Sequence, residues 1–472
     1  MKLRIKTGYV LSIIAISLVV LWIMLSVRVS LSPKDALKVC GVLCLAHFIV
    51  MYLVYAKKEG KLITLYGLFM LSFFMFQCGQ YVIYGLNMPY NYFYVEKYEL
   101  SIVLDSAIFS SMCNSAVFLA YGFIKQNQNI GRISKQVLLR SDESVSTIAF
   151  MIFLVLAVVD IPLTLVKFTY ALRSGYDGVR AFEDTLPSLL SLIDQMFIPF
   201  GVLNVVYAKR KTMVYGTEIV IAIWSILTTL CGDRTSGIAG FLIIGLFAYY
   251  GFAKKHEALT KNKKRTFGFL VLCLFLMYLI MFAYKFRTQE GELSFFTGIT
   301  QIITEVFGEL GFSFFPLVLT MRICPTTEAF LYGKSIICSL LAAFIPASLD
   351  FTGLWDWLNT LGKESYYWVE DYYNYTFGLG YSLNAEAYSN FGYWGIIWIF
   401  IIGLIVCICL KEPNINDSEY KFENYKSLAL LFAFFTMPRR SCFYITNFLF
   451  YYVFVVGIIL ILLSKPRKRR LS

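Results

Sequence analysis

Charge is scarce in this 472-residue chain: Asp, Glu, Lys and Arg together make up 15% of it. A soluble domain of this length carries about 25%, so a water-soluble globular fold is excluded. Histidine is nearly absent, with His47 in an apolar run and His256 in a basic one. That leaves no histidine-based metal site to build, and no metal or other cofactor is expected. The eleven cysteines include no CxxC pair and lie mostly in apolar stretches, where Cys acts as a small hydrophobe. Cys324 and Cys338 could face an oxidising compartment, but nothing forces them to pair. Internal repeats and low-complexity tracts are also missing, which excludes solenoids and arrays.

What the chain has is apolar length. It is 58% hydrophobic and 18% aromatic, with a mean hydropathy of +0.66. Runs of about 20 apolar residues, each enough to cross a bilayer as a helix, recur throughout. We expect spans near 8–27, 37–56, 62–86, 102–124, 146–171, 187–208, 216–231, 237–253, 267–285, 391–410, 427–438 and 445–463. The first follows MKLRIK, but it is too long and lacks the small-residue cleavage site of a signal peptide, so it is read as a retained span. The fold class is an all-α polytopic membrane protein of about twelve helices.

The formal net charge of +12 would suggest nucleic acid in a soluble protein. With the N-terminus inside and the sides alternating, the inner segments hold 27 of the 42 Lys and Arg. The positive-inside rule therefore accounts for the charge, and both termini are expected in the cytoplasm. The bases also differ in kind. Inner segments carry 19 Lys and 8 Arg, outer segments 5 Lys and 8 Arg. The outer arginines are Arg28, Arg173, Arg180, Arg234, Arg287, Arg322, Arg439 and Arg440. A guanidinium fork matches phosphate oxygens in bidentate geometry, whereas Lys offers a point charge.

The chain then divides into 1–285 with nine spans, an outer segment 286–390 of 105 residues, and 391–472 with the last spans and a basic tail. The outer segment holds two further apolar stretches, 299–321 and 335–349. Both could span, but interfacial or re-entrant helices are preferred. In the first stretch Ile302, Ile303, Val306, Phe307 and Leu310 share one helix face, while Glu305 and Glu309 share the other.

Several residues could carry chemistry. In LCGDRTSGIAG, Asp233 and Arg234 sit at the mouth of a span, and Gly237, Gly240 and Gly245 would line a close-packed helix face. The bland alternative is a polar turn with an ion pair. Arg287 lies just outside the ninth span beside Glu290 and Glu292. Arg439 and Arg440 occupy the tight outer turn before the last span, where adjacent guanidinium groups need an anion or lipid headgroups. Residues 351–394 are dense in Trp and Tyr, either as faces for sugar rings or as an interfacial belt. Within them Tyr381, Asn384, Glu386, Tyr388 and Asn390 form a polar and aromatic group leading into a span, and Glu386 is the outstanding carboxylate. Asp105, Asp160, Lys167, Asp194 and Glu218 lie inside spans. Asp160 and Lys167 share a helix face, which is the strongest argument for a transport path.

Taken together, GDRTSG opening a span and GLGYSLNAEAYSNFGYWG leading into another resemble the Wzy-type oligosaccharide repeat-unit polymerases. So do the dozen spans and the large outer loop, and the likeness covers most of the chain. Some such polymerases carry an outer Arg with Gly eleven positions on. Here Arg234 and Gly245, Arg287 and Gly298, and Arg322 and Gly333 fit, where about one match is expected by chance from 31 glycines in 472 residues. The resemblance implies a GT-C-like helical architecture in a bacterial inner membrane. It implies transfer of a growing glycan from undecaprenyl diphosphate to a lipid-linked repeat unit. Lipids and possible association with a chain-length regulator follow, and nucleic acid does not. Related ligases use an outer His, which this chain lacks, so the base must be another group. Glu386 is the first choice, with Asp233 and Glu305 as alternatives. Arg234, Arg287, Arg439 and Arg440 are expected on the diphosphate, and Tyr381, Asn384, Tyr388 and Asn390 on sugar. The competing readings are a flippase for the same lipid-linked sugars, an O-antigen ligase and, more distantly, a proton-coupled carrier.

Overall fold

The computed structural model describes residues 6–92, 97–124, 142–252, 299–345, 352–373, 381–415 and 420–463, with single positions at 95, 268, 271, 275, 278 and 350. Among them every regular element is helical. In chain order these are α1 (Thr7–Ser30), α2 (Pro33–Glu59), α3 (Leu65–Gly85), α4 (Leu100–Phe123), α5 (Asp142–Asp184), α6 (Ser188–Tyr207), α7 (Lys211–Leu230), α8 (Arg234–Tyr250), α9 (Ile299–Leu310), α10 (Phe314–Ile323), α11 (Lys334–Ala342), α12 (Leu354–Gly362), α13 (Glu364–Tyr373), α14 (Leu383–Phe391), α15 (Gly395–Cys409), α16 (Lys421–Thr436), α17 (Phe443–Phe448) and α18 (Val456–Leu463). Short 3₁₀ turns at Gly311–Ser313 and Gly392–Trp394 join α9 to α10 and α14 to α15, and a π-helical stretch Leu449–Val455 joins α17 to α18.

Ten helical runs among the described residues are long and apolar enough to cross a membrane. Eight coincide with expected spans and two differ, while the expected spans 237–253 and 427–438 appear as the shorter helices α8 and α16. The run Thr300–Ile323 has 24 residues and a mean hydropathy of 1.6, a length and composition that suit a crossing and the expected re-entrant helix alike. The second stretch yields only the nine-residue α11, about 14 Å long at 1.5 Å per residue, less than half the hydrocarbon thickness. The expected span at 391–410 starts earlier, because α14 and α15 form one run, Leu383–Cys409. The expected span 267–285 lies almost entirely outside the described residues.

The chain forms two compact units, each drawn from several segments. The first comprises residues 1–126, 298–409 and 434–447. Here α3 is the innermost helix, and its composition explains why. Its best window has a mean hydropathy of only 1.3 and is 94% buried, against 2.8 and 22% for α1. A span carrying Ser72, Gln77 and Gln80 places those groups poorly against lipid, so it is enclosed by more apolar helices. Backbones approach closely on its flank: a Cβ added to Gly79 would lie 2.6 Å from the Phe307 carbonyl of α9. Gln80 extends the same contact, donating to the Gly308 carbonyl at 3.0 Å.

The second unit comprises residues 127–297, 410–433 and 448–472. Helices α7 and α8 pack face to face, as the glycines of α8 suggested. A Cβ at Gly237 would lie 2.0 Å from Thr229 Oγ1, and one at Gly240 2.2 Å from Ser225 Oγ. Lys167 of α5 pairs with Glu183 at 2.9 Å and with Asp194 at 3.6 Å. Asp160 is fully buried. The Lys167 charge is thus engaged by α5 and α6 rather than by Asp160 alone.

Candidate active site

The first unit brings Glu386 and the Arg439–Arg440 turn together. Ser382 starts α14: its Oγ accepts from the Ala385 N–H at 3.4 Å, and its carbonyl takes the first helical bond from Glu386 N–H at 2.9 Å. Ser is among the residues preferred at this position because its side chain satisfies an amide the helix leaves open. The cap fixes the start of α14 and sets Glu386 in the first turn, facing inward. Glu386 has no exposed surface. Its Oε2 accepts from the backbone N–H of Cys442 at 2.8 Å, and its Oε1 has no hydrogen-bond partner among the described residues. A buried carboxyl oxygen without a partner is costly unless a ligand or water completes it.

Cys442 follows directly on the arginine turn. Pro438 and Arg439 form a 3₁₀ turn at Met437–Arg439, closed by Arg440 N–H to the Met437 carbonyl at 2.8 Å. Both arginines are half-buried. The Arg440 guanidinium lies over the Tyr444 ring, 4.7 Å from its centroid, which holds its plane while its edge donors remain available. The Cys442 thiol is no rival for chemistry. Burial, and then the adjacent Glu386, push its pKa far above the ordinary thiol range, and a protonated thiol is a poor nucleophile. Burial and Glu386 likewise raise the Tyr381 hydroxyl, which bonds to Ser365.

The family model described as O-antigen polysaccharide polymerase Wzy matches residues 10–469. The chain belongs to this family. Wzy proteins polymerise lipid-linked O-antigen repeat units in a membrane, and the ten apolar helical runs agree with a multi-pass membrane protein. No curated protein and no solved structure matches the chain significantly.

Other expected site residues of this Wzy-family chain fall into distinct surroundings. Asn384 is fully buried, donates to Ser110 Oγ at 3.2 Å, and its Oδ1 has no partner among the described residues. Asn390, also expected on sugar, ties α14 to its surroundings. Its Oδ1 accepts from Gly333 N–H at 3.0 Å, and its Nδ2 donates to Ser335 Oγ and the Glu386 carbonyl, both at 2.8 Å. Tyr388 is 6% exposed, with its ring among Phe109, Phe330 and Tyr393. Glu305 is half-buried on α9. In the second unit, Asp233 caps α8 by accepting from Ser236 N–H at 3.1 Å, and Arg234 is the first residue of that helix. Arg287 lies outside the described residues. Arg28, counted among the outer arginines, is paired with Asp105 at 2.8 Å.

Reading the sequence singled out Glu386, Arg439 and Arg440 separately, but not the Cys442 amide or Ser382. Backbone donors leave no trace in residue identity. Gln77 was also missed, although a pair of amides, Gln77 and Gln80, in the middle of an apolar run was the available signal.

Proposed function

We propose that this chain transfers a growing glycan from undecaprenyl diphosphate to a lipid-linked repeat unit at the outer face of the bacterial inner membrane, with Glu386 as general base. The acceptor hydroxyl oxygen attacks the anomeric carbon of the chain's reducing-end sugar. The new C–O bond forms as the bond to the diphosphate breaks, and its electron pair leaves on the phosphate oxygen. The hydroxyl proton passes to Glu386 Oε1. Inversion at that carbon needs only this base and a direct displacement. The leaving diphosphate needs charge stabilisation rather than a general acid, and preorganised guanidinium groups provide it without a metal.

The observation that carries this reading is the buried carboxylate with one occupied and one unpartnered oxygen, held by the amide that follows Arg439–Arg440. These two arginines are assigned to the diphosphate. Arg234 and Arg287 are further proposed phosphate ligands. Asn384 Oδ1 and Tyr381 are assigned to sugar hydroxyls, while Tyr388 and Asn390 keep α14 in place. Asp233 is less suited to act as base because its carboxylate caps a helix, and Glu305 remains the alternative. Both termini are assigned to the cytoplasm, and a chain-length regulator is a proposed partner.

The test is a gel of surface glycan from a strain lacking this protein. Collapse of the ladder to core plus one repeat unit is the expected result. Loss of every surface repeat, with lipid-linked units stranded in the inner leaflet, would instead mean a flippase. Full-length glycan left on its lipid carrier would mean a ligase.

A further inference from the structure

Gln77 stands in the middle of α3 and has no exposed surface. Its amide is used at both ends. The Oε1 accepts from Ser382 Oγ at 2.9 Å, and the Nε2 donates to the Pro438 carbonyl at 2.5 Å. These partners are 305 and 361 residues away in sequence. They are also the two points from which the site is set. Ser382 caps the helix that carries Glu386, and Pro438 immediately precedes Arg439 and Arg440. A Gln that merely satisfied itself inside a bundle would bond to its own helix or to any nearby carbonyl. Gln80, one turn on, does that with Gly308.

We propose that Gln77 is a positioning residue of the polymerisation site. It bridges the cap of the acidic helix and the arginine turn, so that the carboxylate and the guanidinium groups keep one fixed separation. This rests on the proposed roles of Glu386 and the arginines. A side-chain amide suits the task because it offers an acceptor and a donor about 2 Å apart in one rigid plane. The innermost helix of the unit is a firm place for it, since close packing leaves α3 little room to shift. The Glu386–Cys442 bond and the packing of α14 on the arginine turn join the two segments directly. Gln77 adds a hydrogen bond to each from a third element, which narrows their relative movement. Misplacing a catalytic group by about 1 Å costs on the order of a hundredfold in rate.

The experiment uses the full-length protein in nanodiscs, with purified lipid-linked repeat units as substrate, and reads kcat, KM and thermal stability. Gln77→Met fills similar volume but makes neither bond. Gln77→Glu, in its neutral form, keeps one donor and one acceptor. Gln77→Met is expected to lower kcat about 10- to 100-fold with KM within about twofold, and Gln77→Glu to recover most of the loss. If Gln77→Met accumulates poorly, Ser382→Ala, which removes the bond to Gln77 together with the cap of α14, is expected to lower kcat several-fold, and Ser382→Asp, which restores the cap but cannot donate to Gln77, to remain impaired. The proposal is overturned if Gln77→Met, or Ser382→Ala in its place, leaves kcat within about twofold while Glu386→Gln is inactive. It is equally overturned if Gln77→Met and Gln77→Glu lose activity to the same extent, or if the loss lies in KM. An active Glu386→Gln enzyme would instead overturn the underlying assignment of the base.

Discussion

Glu386 and Cys442, 56 residues apart, are joined by a 2.8 Å hydrogen bond from the Cys442 amide to Glu386 Oε2. The donor is backbone, so no substitution at position 442 other than proline removes it. Cys442→Ala should therefore keep the wild-type glycan ladder, because the amide bond to Glu386 persists and the thiol gives up only weak contacts, such as the one to the Ile336 carbonyl at 4.0 Å. Loss of polymer in Cys442→Ala, at normal protein level, would mean that the thiol itself takes part.

Arg440 is held over Tyr444 and half-buried. Lys cannot reproduce a stacked plane with a bidentate edge. Arg440→Lys should reduce polymerisation about tenfold or more, and Arg440→Ala further, with both proteins inserted normally. The check is single-turnover transfer between lipid-linked units. Equal rates for Arg440→Lys and wild type would show that only positive charge matters there.

Gly79 permits contact between α3 and α9. A Cβ at Gly79 has no room, with the Phe307 carbonyl 2.6 Å away, whereas one at Gly216 in α7 meets nothing within 4 Å. Gly79→Ala should lower the thermal midpoint in detergent by several degrees and weaken activity. Gly216→Ala should be neutral or stabilising, because Ala is favoured over Gly within a helix by up to about 1 kcal/mol. Opposite signs in a melting assay confirm the packing, and two neutral variants contradict it.

Lys167, 12% exposed, places one positive charge between Glu183 and Asp194, 46% and 36% exposed, within the second unit. Removing it leaves two neighbouring carboxylates with no cation between them. Lys167→Met should lower the amount of protein in the membrane, and adding Asp194→Asn should restore part of it. If Lys167→Met is fully abundant yet blocks translocation of lipid-linked sugar, the ion pairs serve transport.

Much of the fold was legible because a bilayer imposes a length on every apolar run. The first eight expected spans all reappear as helices, the fifth running on past a break at Gly175 to Asp184. The Thr300–Ile323 run was harder to read, because the period that puts Glu305 and Glu309 on one face also fits a helix buried against protein. Glu386 stood out as a carboxylate in an aromatic segment, but its depth did not, because α14 and α15 join through a 3₁₀ turn that pattern alone does not reveal. Asn390 looked the same as Asn384 in sequence. Only tertiary contacts separate Asn390, bonded at both ends of its amide, from Asn384, whose Oδ1 has no partner among the described residues. Gln77 went unnoticed because its two partners lie more than 300 residues away.

The most direct test compares Glu386→Gln with wild type in a polymerisation assay on purified lipid-linked repeat units. Gln keeps an oxygen to accept the Cys442 amide, so folding and substrate binding should persist, but it cannot take a proton. The account predicts a loss of transfer rate of about 10² to 10⁴-fold with little change in KM. Polymer formed by Glu386→Gln at the wild-type rate would contradict it.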